Sequence, residues 1–295
     1  MATIDLQAGA ERTARARRAR RGAARAFARN PLAVTGLLVL LALVLVAGVG
    51  PMFSPYGPYT ISLQDKYQPV STKHPLGTDF FGRDVLTRLM YGLRTSLAVA
   101  VLTEAIGLLV GVTLGLLSAY FGRALDLVLM RFTDAFLALP SLLFALAIMA
   151  VRGPGFGNLL LALALKEWTG YARLARAEGL KVRAVEYVEA ARASGASHRR
   201  IILRHILPST ISTVIVYATL ALPIPILAEA TLSFLGLGLP IDTPSLGNMI
   251  NVDHGYMREA WWAVTFPGLA VAVVVLAFNF IGDGLRDALD PRLQQ

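Results

Sequence analysis

The first residues of this 295-residue chain that could do chemistry are ionisable side chains set inside otherwise uncharged runs. Glu104 and Glu229 lie in long apolar stretches, and Arg131 and Asp134 sit three residues apart in another. A charge in hydrocarbon is costly, so such groups mark a substrate path, a proton relay or an internal pair. Arg131 and Asp134 have the helical spacing to neutralise each other. Glu104 and Glu229 are expected to be protonated or paired. Glu229, with Ser233 and Phe234 beyond it, is the candidate for a path or gate. Pro223, Pro225 and the glycines after Phe234 could bend the same stretch, or could serve packing alone.

No constellation for bond-making chemistry accompanies these groups. The chain has no G-x-x-x-x-G-K-[ST] phosphate loop and no G-x-S-x-G elbow. His74, His198, His205 and His254 are dispersed, and there is no Cys. No catalytic, cofactor-binding or metal-binding residue is assigned, and no cofactor is expected in this chain. Uphill work would draw on a partner or on an ion gradient.

Composition says where such groups reside. Hydrophobic residues make up 55% of the chain and charged residues 16%, with a net charge of +9 and a mean hydropathy of +0.58. Soluble domains carry about 25% charge, and disordered chains lack the apolar content. Nucleic-acid binding would need the bases on one soluble face. Here they alternate with uncharged runs, so the chain reads as a membrane protein with no nucleic-acid partner. The prediction is an all-α, polytopic protein whose immediate surroundings are the lipid bilayer.

A spanning helix needs roughly 20 apolar residues. Clear spans lie at 32–50 and 261–282, and imperfect ones at 95–120, 127–151 and 206–239. The last run is too long for one span and should end in a turn at Gly236, Gly238 and Pro240. A sixth span at about 158–174 is weakened by Lys166 and Glu167. It is required if the eight arginines in 1–31 and the eight bases in 173–204 are to share a side. The positive-inside rule then places both termini in the cytoplasm. An amino-terminal signal peptide is disfavoured, because its apolar run would be too long and Pro51 follows Gly50.

Two polar segments remain. Thr78, Asp79, Gly82, Arg83 and Asp84 lie in the external stretch and read as a surface docking element or as a capped helix on the outer face. Between 181 and 208, Val182, Val185 and Val188 repeat at helical spacing, Gly195 interrupts, and Ser197 can cap a second helix over 199–207. This is a hairpin suited to docking in another protein's groove. The same pattern also serves a solvated loop held by a weak Glu189–Arg192 pair. Gly107, Gly111 and Gly115 suggest close helix packing, within the chain or against a partner.

The string Glu189-Ala190-Ala191, then Gly195, then Leu207-Pro208 resembles the EAA motif of ATP-binding-cassette import permeases. His205 stands where that motif commonly has Ile, a small departure. His74-Pro75-Leu76-Gly77-Thr78-Asp79, Gly82-Arg83-Asp84, Leu232-Ser233-Phe234-Leu235-Gly236 and Gly282-Asp283-Gly284-Leu285-Arg286-Asp287 are similar to the dipeptide and oligopeptide branch, in its C-type subunit. The likeness runs from Asn30 to the end. It implies a type I importer permease fold with six transmembrane helices, and a coupling contact made by Glu189, Ala190, Ala191, Gly195, Leu207 and Pro208.

The implied partners are a second homologous permease in a heterodimer, two ABC ATPase subunits that hydrolyse ATP, and an extracytoplasmic binding protein. The implied substrates are di- or oligopeptides, with nickel or glutathione as alternatives. A reading from a different class is an ion-coupled carrier relaying protons through Glu104, Asp134 and Glu229. The expected organisation is a cytoplasmic basic arm (1–31), an anchor helix (32–50), an extracytoplasmic segment (51–94), a permease core (95–284) with the coupling loop 181–207, and a cytoplasmic tail (285–295).

Overall fold

The computed structural model describes residue 22 and residues 24–289. Most of the basic arm lies outside these residues, as do Asp290, Pro291 and Arg292. Among the described residues, helix is the only regular structure apart from one isolated bridge between Thr78 and Asp84. Its principal helices are α1 (Pro31–Val49), α2 (Val85–Phe121), α3 (Arg123–Ala138), α4 (Ser141–Arg152), α5 (Phe156–Arg183) and α6 (Glu186–Ala193). They continue with α7 (His198–Phe234), α8 (Leu246–Asp253) and α9 (Trp261–Leu289).

Local chemistry starts and stops these helices. Asn30 accepts hydrogen bonds from the Leu32 and Ala33 amides, and Pro31 occupies the first turn of α1. Asp84 caps α2 through the Thr87 amide at 2.8 Å. Helix α7 ends at Phe234 and turns at Gly236 (φ +76°), as the sequence suggests. Pro223 and Pro225 do not break it, because Leu222 keeps helical dihedrals.

Among the described residues, four helices, α1, α2, α7 and α9, are long and apolar enough to cross a membrane. Helices α3 and α4 make a fifth span if counted together, although they meet at 83°. Helix α5 covers the weak stretch at 158–174, but its charges keep it below that standard of apolarity. With 37 residues, α2 is about 55 Å long, well beyond the roughly 30 Å hydrocarbon core. The stretch at 95–120 is therefore only part of a longer helix that begins at Val85.

The sharp break in the third span was not anticipated. Leu139 precedes Pro140 and is extended (φ −84°, ψ 129°), as the proline ring demands. The bend frees carbonyls at the end of α3. Lys166 of α5 donates to the Phe136 carbonyl at 2.7 Å and also to that of Leu139. Arg131 and Asp134 do not pair as expected. Asp134 instead meets Arg173 of α5 at 2.5 Å, so the charge is matched between helices rather than along one.

The closest packing joins α2 to α5. A methyl group at Gly107 would stand 2.9 Å from the Glu167 Cβ, at Gly111 2.3 Å from the Trp168 carbonyl, and at Gly115 2.4 Å from the Ala172 carbonyl. The three glycines thus seat one backbone against the other within this chain, by the small-residue packing that membranes favour. Gly111→Val is expected to lower stability in detergent by about 3 kcal/mol or more, because the clash is with backbone. Gly268→Val, at a position with nothing within 4 Å, should leave the melting temperature nearly unchanged. Equal melting of the two variants would refute the backbone contact.

Candidate functional site

The hairpin between α5 and α7 is built from one buried valine, one turn and one cap. Helix α5 runs to Arg183 and Val185 is extended (φ −84°, ψ 138°). Val182, Val185 and Val188 therefore do not share one helix. Only Val188 lies on α6, and it is fully buried. It joins Ile201, Ile206, Tyr171 and Val214 in one apolar cluster. Burying each of these aliphatic side chains contributes about 1.5–3 kcal/mol, which fixes a hairpin of otherwise polar composition.

Gly195 ends α6 with φ +77°. Its amide donates to the Arg192 carbonyl at 3.0 Å, and the Ala196 amide donates to that of Ala191 at 3.1 Å. These two bonds form a Schellman motif, which needs a left-handed residue at the turn. Open space surrounds the Gly195 Cα, so glycine is required here for backbone angle rather than for room. Ser197 then caps the next helix through the Arg200 amide, as its position suggests.

The second helix of the hairpin begins at His198 and passes through a π turn at Ile202–Ile206 into the membrane span. The Leu207 amide reaches back to the Ile202 carbonyl, and Pro208 follows with no amide hydrogen to donate. A missing donor and a widened turn occur together, as expected for helices. Glu189, Ala190 and Pro208 are exposed, whereas Ala191 and Leu207 are half-buried. Arg192 lies over the Tyr120 ring, and the Tyr120 hydroxyl meets His198 Nδ1 at 2.7 Å. The hairpin presents a small-residue face, with Glu189 beside it, on a fixed base.

Glu229, Ser233 and Phe234 lie at the opposite end of α7. Glu229 is fully buried. Its two oxygens accept from Ser96 of α2 at 2.6 Å and from Ser233 at 2.8 Å. Ser233 is equally buried and accepts from the Leu239 amide. Both residues join α7 to its neighbours inside the chain. Phe234 is 38% exposed and packs edge-on against His254. Glu104 likewise finds its partner internally, the Tyr171 hydroxyl at 2.5 Å.

The external residues form a buried polar knot, not a docking surface. Thr78, Asp79, Arg83 and Asp84 are all under 5% exposed. Asp79 accepts from the Phe81 and Arg83 amides at 2.9 Å, and the Arg83 Nε donates to it at 2.6 Å. His74 meets Asp84 at 3.0 Å. Sequence reading offered a capped helix here without naming its cap, and missed that a loop folds over it. Asp253 of α8 also belongs to the knot, accepting from the Phe80 amide at 2.9 Å. That residue carried no local signal, since its partner is 173 positions away.

Helices broken at Pro140, closed on the Gly107–Gly115 face and joined by an exposed hairpin define a transmembrane permease of the type I ABC importer fold. A subunit of the MetNI methionine ABC transporter in an inward-facing conformation has the same fold. It superposes with a TM-score of 0.57 at 19% identity, over 68% of this chain and 95% of that one. The chain belongs to the family of binding-protein-dependent transport system inner membrane components, which matches residues 111–295. Residues 20–69 match the N-terminal TM domain of oligopeptide transport permease C.

The relatives agree along most of their length. The dipeptide transport system permease protein DppC of Alkalihalophilus pseudofirmus is 41% identical over 90% of this chain and 88% of its own. That of Bacillus subtilis is 40% identical over 92% and 85%. The glutathione transport system permease protein GsiD of Pectobacterium atrosepticum is 38% identical over 92% and 90%. The protein is thus a multi-pass membrane component of a transport system.

Burial pushes the Asp253 carboxyl up to about 7, and the Asp79 charge adds to this, against the Phe80 amide, Arg83 and Arg88. A raised carboxyl binds its proton more tightly folded than unfolded. Its contribution is therefore complete below about pH 4 and declines as pH rises to about 7, at roughly 1.4 kcal/mol per unit. Asp253→Asn keeps an acceptor for Phe80 and removes the charge. Hydrogen exchange at the Phe80 amide should accelerate from pH 5 to 8 in the wild type, beyond the intrinsic base-catalysed rate, and lose that excess in the variant. An identical excess in both would exclude this assignment.

Proposed function

We propose that this chain is one of two homologous permease subunits enclosing the path for di- or oligopeptides in an ATP-driven importer. The observation that carries the reading is the hairpin. Glu189 and Ala190 are exposed on a short helix whose far side, through Val188, is anchored in the core of the membrane domain. Small side chains permit close approach by another protein. The Gly195 turn fixes the angle at which α6 meets the base of α7.

Two ABC ATPase subunits would receive these hairpins, one from each permease, and would hydrolyse the ATP. An extracytoplasmic binding protein would deliver substrate on the opposite side. Both termini and the hairpin then lie in the cytoplasm, in agreement with the bases in 1–31 and 173–204. Helix α5 crosses the membrane as the sixth span, its Lys166 occupied by the carbonyls of the broken α3.

Phe234 is placed at the path, with Glu229 and Ser233 behind it as the knot that holds its helix in position. Peptides are favoured as substrates because the dipeptide permeases align over nearly the whole chain. Glutathione, itself a tripeptide, is the alternative that one relative suggests. The ion-coupled reading has no comparable support, since Glu104, Asp134 and Glu229 all have partners within the chain.

Glu189→Lys and Gly195→Val separate contact from geometry. The first changes a surface charge, and the second disfavours the left-handed turn. Both should leave membrane insertion intact, abolish co-purification of the ATPase and lower ATP-dependent peptide uptake in vesicles by at least about tenfold, roughly 1.4 kcal/mol of coupling. Full uptake with the ATPase still bound would overturn the coupling assignment.

A further inference from the structure

We propose that the cytoplasmic ends of α2 and α7 form a binding site for one anionic phospholipid. The proposal rests on the membrane orientation given above, which puts this site at the inner leaflet. Two adjoining concavities make up the site. One, of about 420 Å³, lies between the two helices and is lined chiefly by Val112, Leu116, Leu117, Phe121, Leu203 and Leu207. The other, of about 360 Å³, is polar and lined by Ser197, Arg199, Arg200, Leu203 and Arg204. Arg199 and Leu203 border both, so the apolar groove and the arginine pocket adjoin.

The three guanidiniums are exposed, and none pairs with a carboxylate among the described residues. Most other bases at this end are engaged: Arg173 with Asp134, Arg176 with Asp126, Lys181 with Glu178, and Arg183 with the Ala119 carbonyl. The apolar groove continues a stripe along α2, where Leu109 is 68% exposed one turn deeper. Phe121 and Arg123 mark where α2 leaves the apolar layer, and Arg199 to Arg204 mark where α7 enters it.

A ligand that satisfies both halves is an amphiphile with a negative head and a hydrocarbon tail. A free phosphate would leave the groove empty of apolar contact, and a peptide helix would leave three arginines without counter-charge. Basic pockets at the cytoplasmic ends of membrane helices suit anionic headgroups for this electrostatic reason. The groove walls are fixed, because His198 is held by Tyr120 and Ile201 and Ile206 are fully buried. The π turn at Ile202–Ile206 lies in this wall, so an occupied groove would brace the softest point of α7.

The test uses the full-length chain, purified alone and in its complex, delipidated and then offered phosphatidylglycerol or phosphatidylcholine. Native mass spectrometry counts the lipid retained. The wild type should keep one phosphatidylglycerol in preference to phosphatidylcholine. The variant Arg199→Gln, Arg200→Gln, Arg204→Gln should bind it about 100-fold more weakly, each guanidinium contributing roughly fivefold. Leu203→Trp, which fills the groove and leaves the arginines, should weaken it too.

Equal retention of the two lipids would overturn the proposal. So would undiminished binding by Leu203→Trp, which would indicate a bare anion site. Loss of the ATPase from the triple variant with lipid retention unchanged would assign the arginines to a protein contact and also overturn it. A wild-type chain that holds phosphatidylglycerol but never co-purifies with an ATPase would contradict the proposed function and still support this site.

Discussion

The contact between α2 and α5 is the constraint on which the rest of the molecule depends. Where glycines let two backbones touch, neither helix can slide or rotate without meeting carbonyl groups or Cβ atoms of the other. The pair therefore moves as one body. Helix α2 begins inside the polar knot of Asp79, Arg83 and Asp84, and at the opposite end of the pair α5 delivers the chain to the hairpin. Tyr171 extends the contact sideways, binding Glu104 of α2 through its hydroxyl and meeting Tyr217 of α7 edge-on.

The second constraint is that polar groups at membrane depth find partners within the protein. Lipid offers no hydrogen bonds, so an exposed carbonyl or charge would cost several kcal/mol. The chain meets much of this demand with polar side chains from neighbouring helices. Lys166 sits on the carbonyls freed at the α3 break, and Arg176 holds Asp126 at 2.5 Å. Ser96 and Ser233 hold Glu229. Lys166 is thus not an argument against a membrane helix at 158–174. It is what allows the adjacent span to break there.

This arrangement explains what the sequence did and did not disclose. Apolar runs, the Ser197 cap, the Gly195 turn and the glycine spacing are local signals, and each was legible in the sequence. The hairpin residues were legible as a pattern, although Val182 and Val185 were assigned to the wrong side of a chain break that nothing nearby announces. Pairings between distant segments were not legible. Asp134 has Arg131 at helical spacing, yet its partner is Arg173 of another helix. The external polar residues appear as surface until the loop from Ser62 to Asp84 is seen folded on itself, with Asp253 and Trp262 reaching in. Polar type alone does not distinguish a solvated charge from one buried in a satisfied network.

Helix α7 connects the two ends of this design. It runs 37 residues from His198, beside the hairpin, to Phe234, beside the Glu229 knot and the external layer. An unbroken helix of that length transmits displacement along its axis, except where its hydrogen-bond ladder is irregular. One such irregularity is at Leu222–Pro225, where two prolines lack an amide hydrogen, and the other is the π turn at Ile202–Ile206, followed by Pro208, immediately inside the hairpin. A push on α6 would therefore pass through Val188, Ile201 and Ile206, whose packing bridges the soft turn from the side. If the hairpin meets a partner as proposed, transmission depends on side-chain contact more than on backbone continuity. The fully buried residues beneath the hairpin would then matter as much as its exposed face.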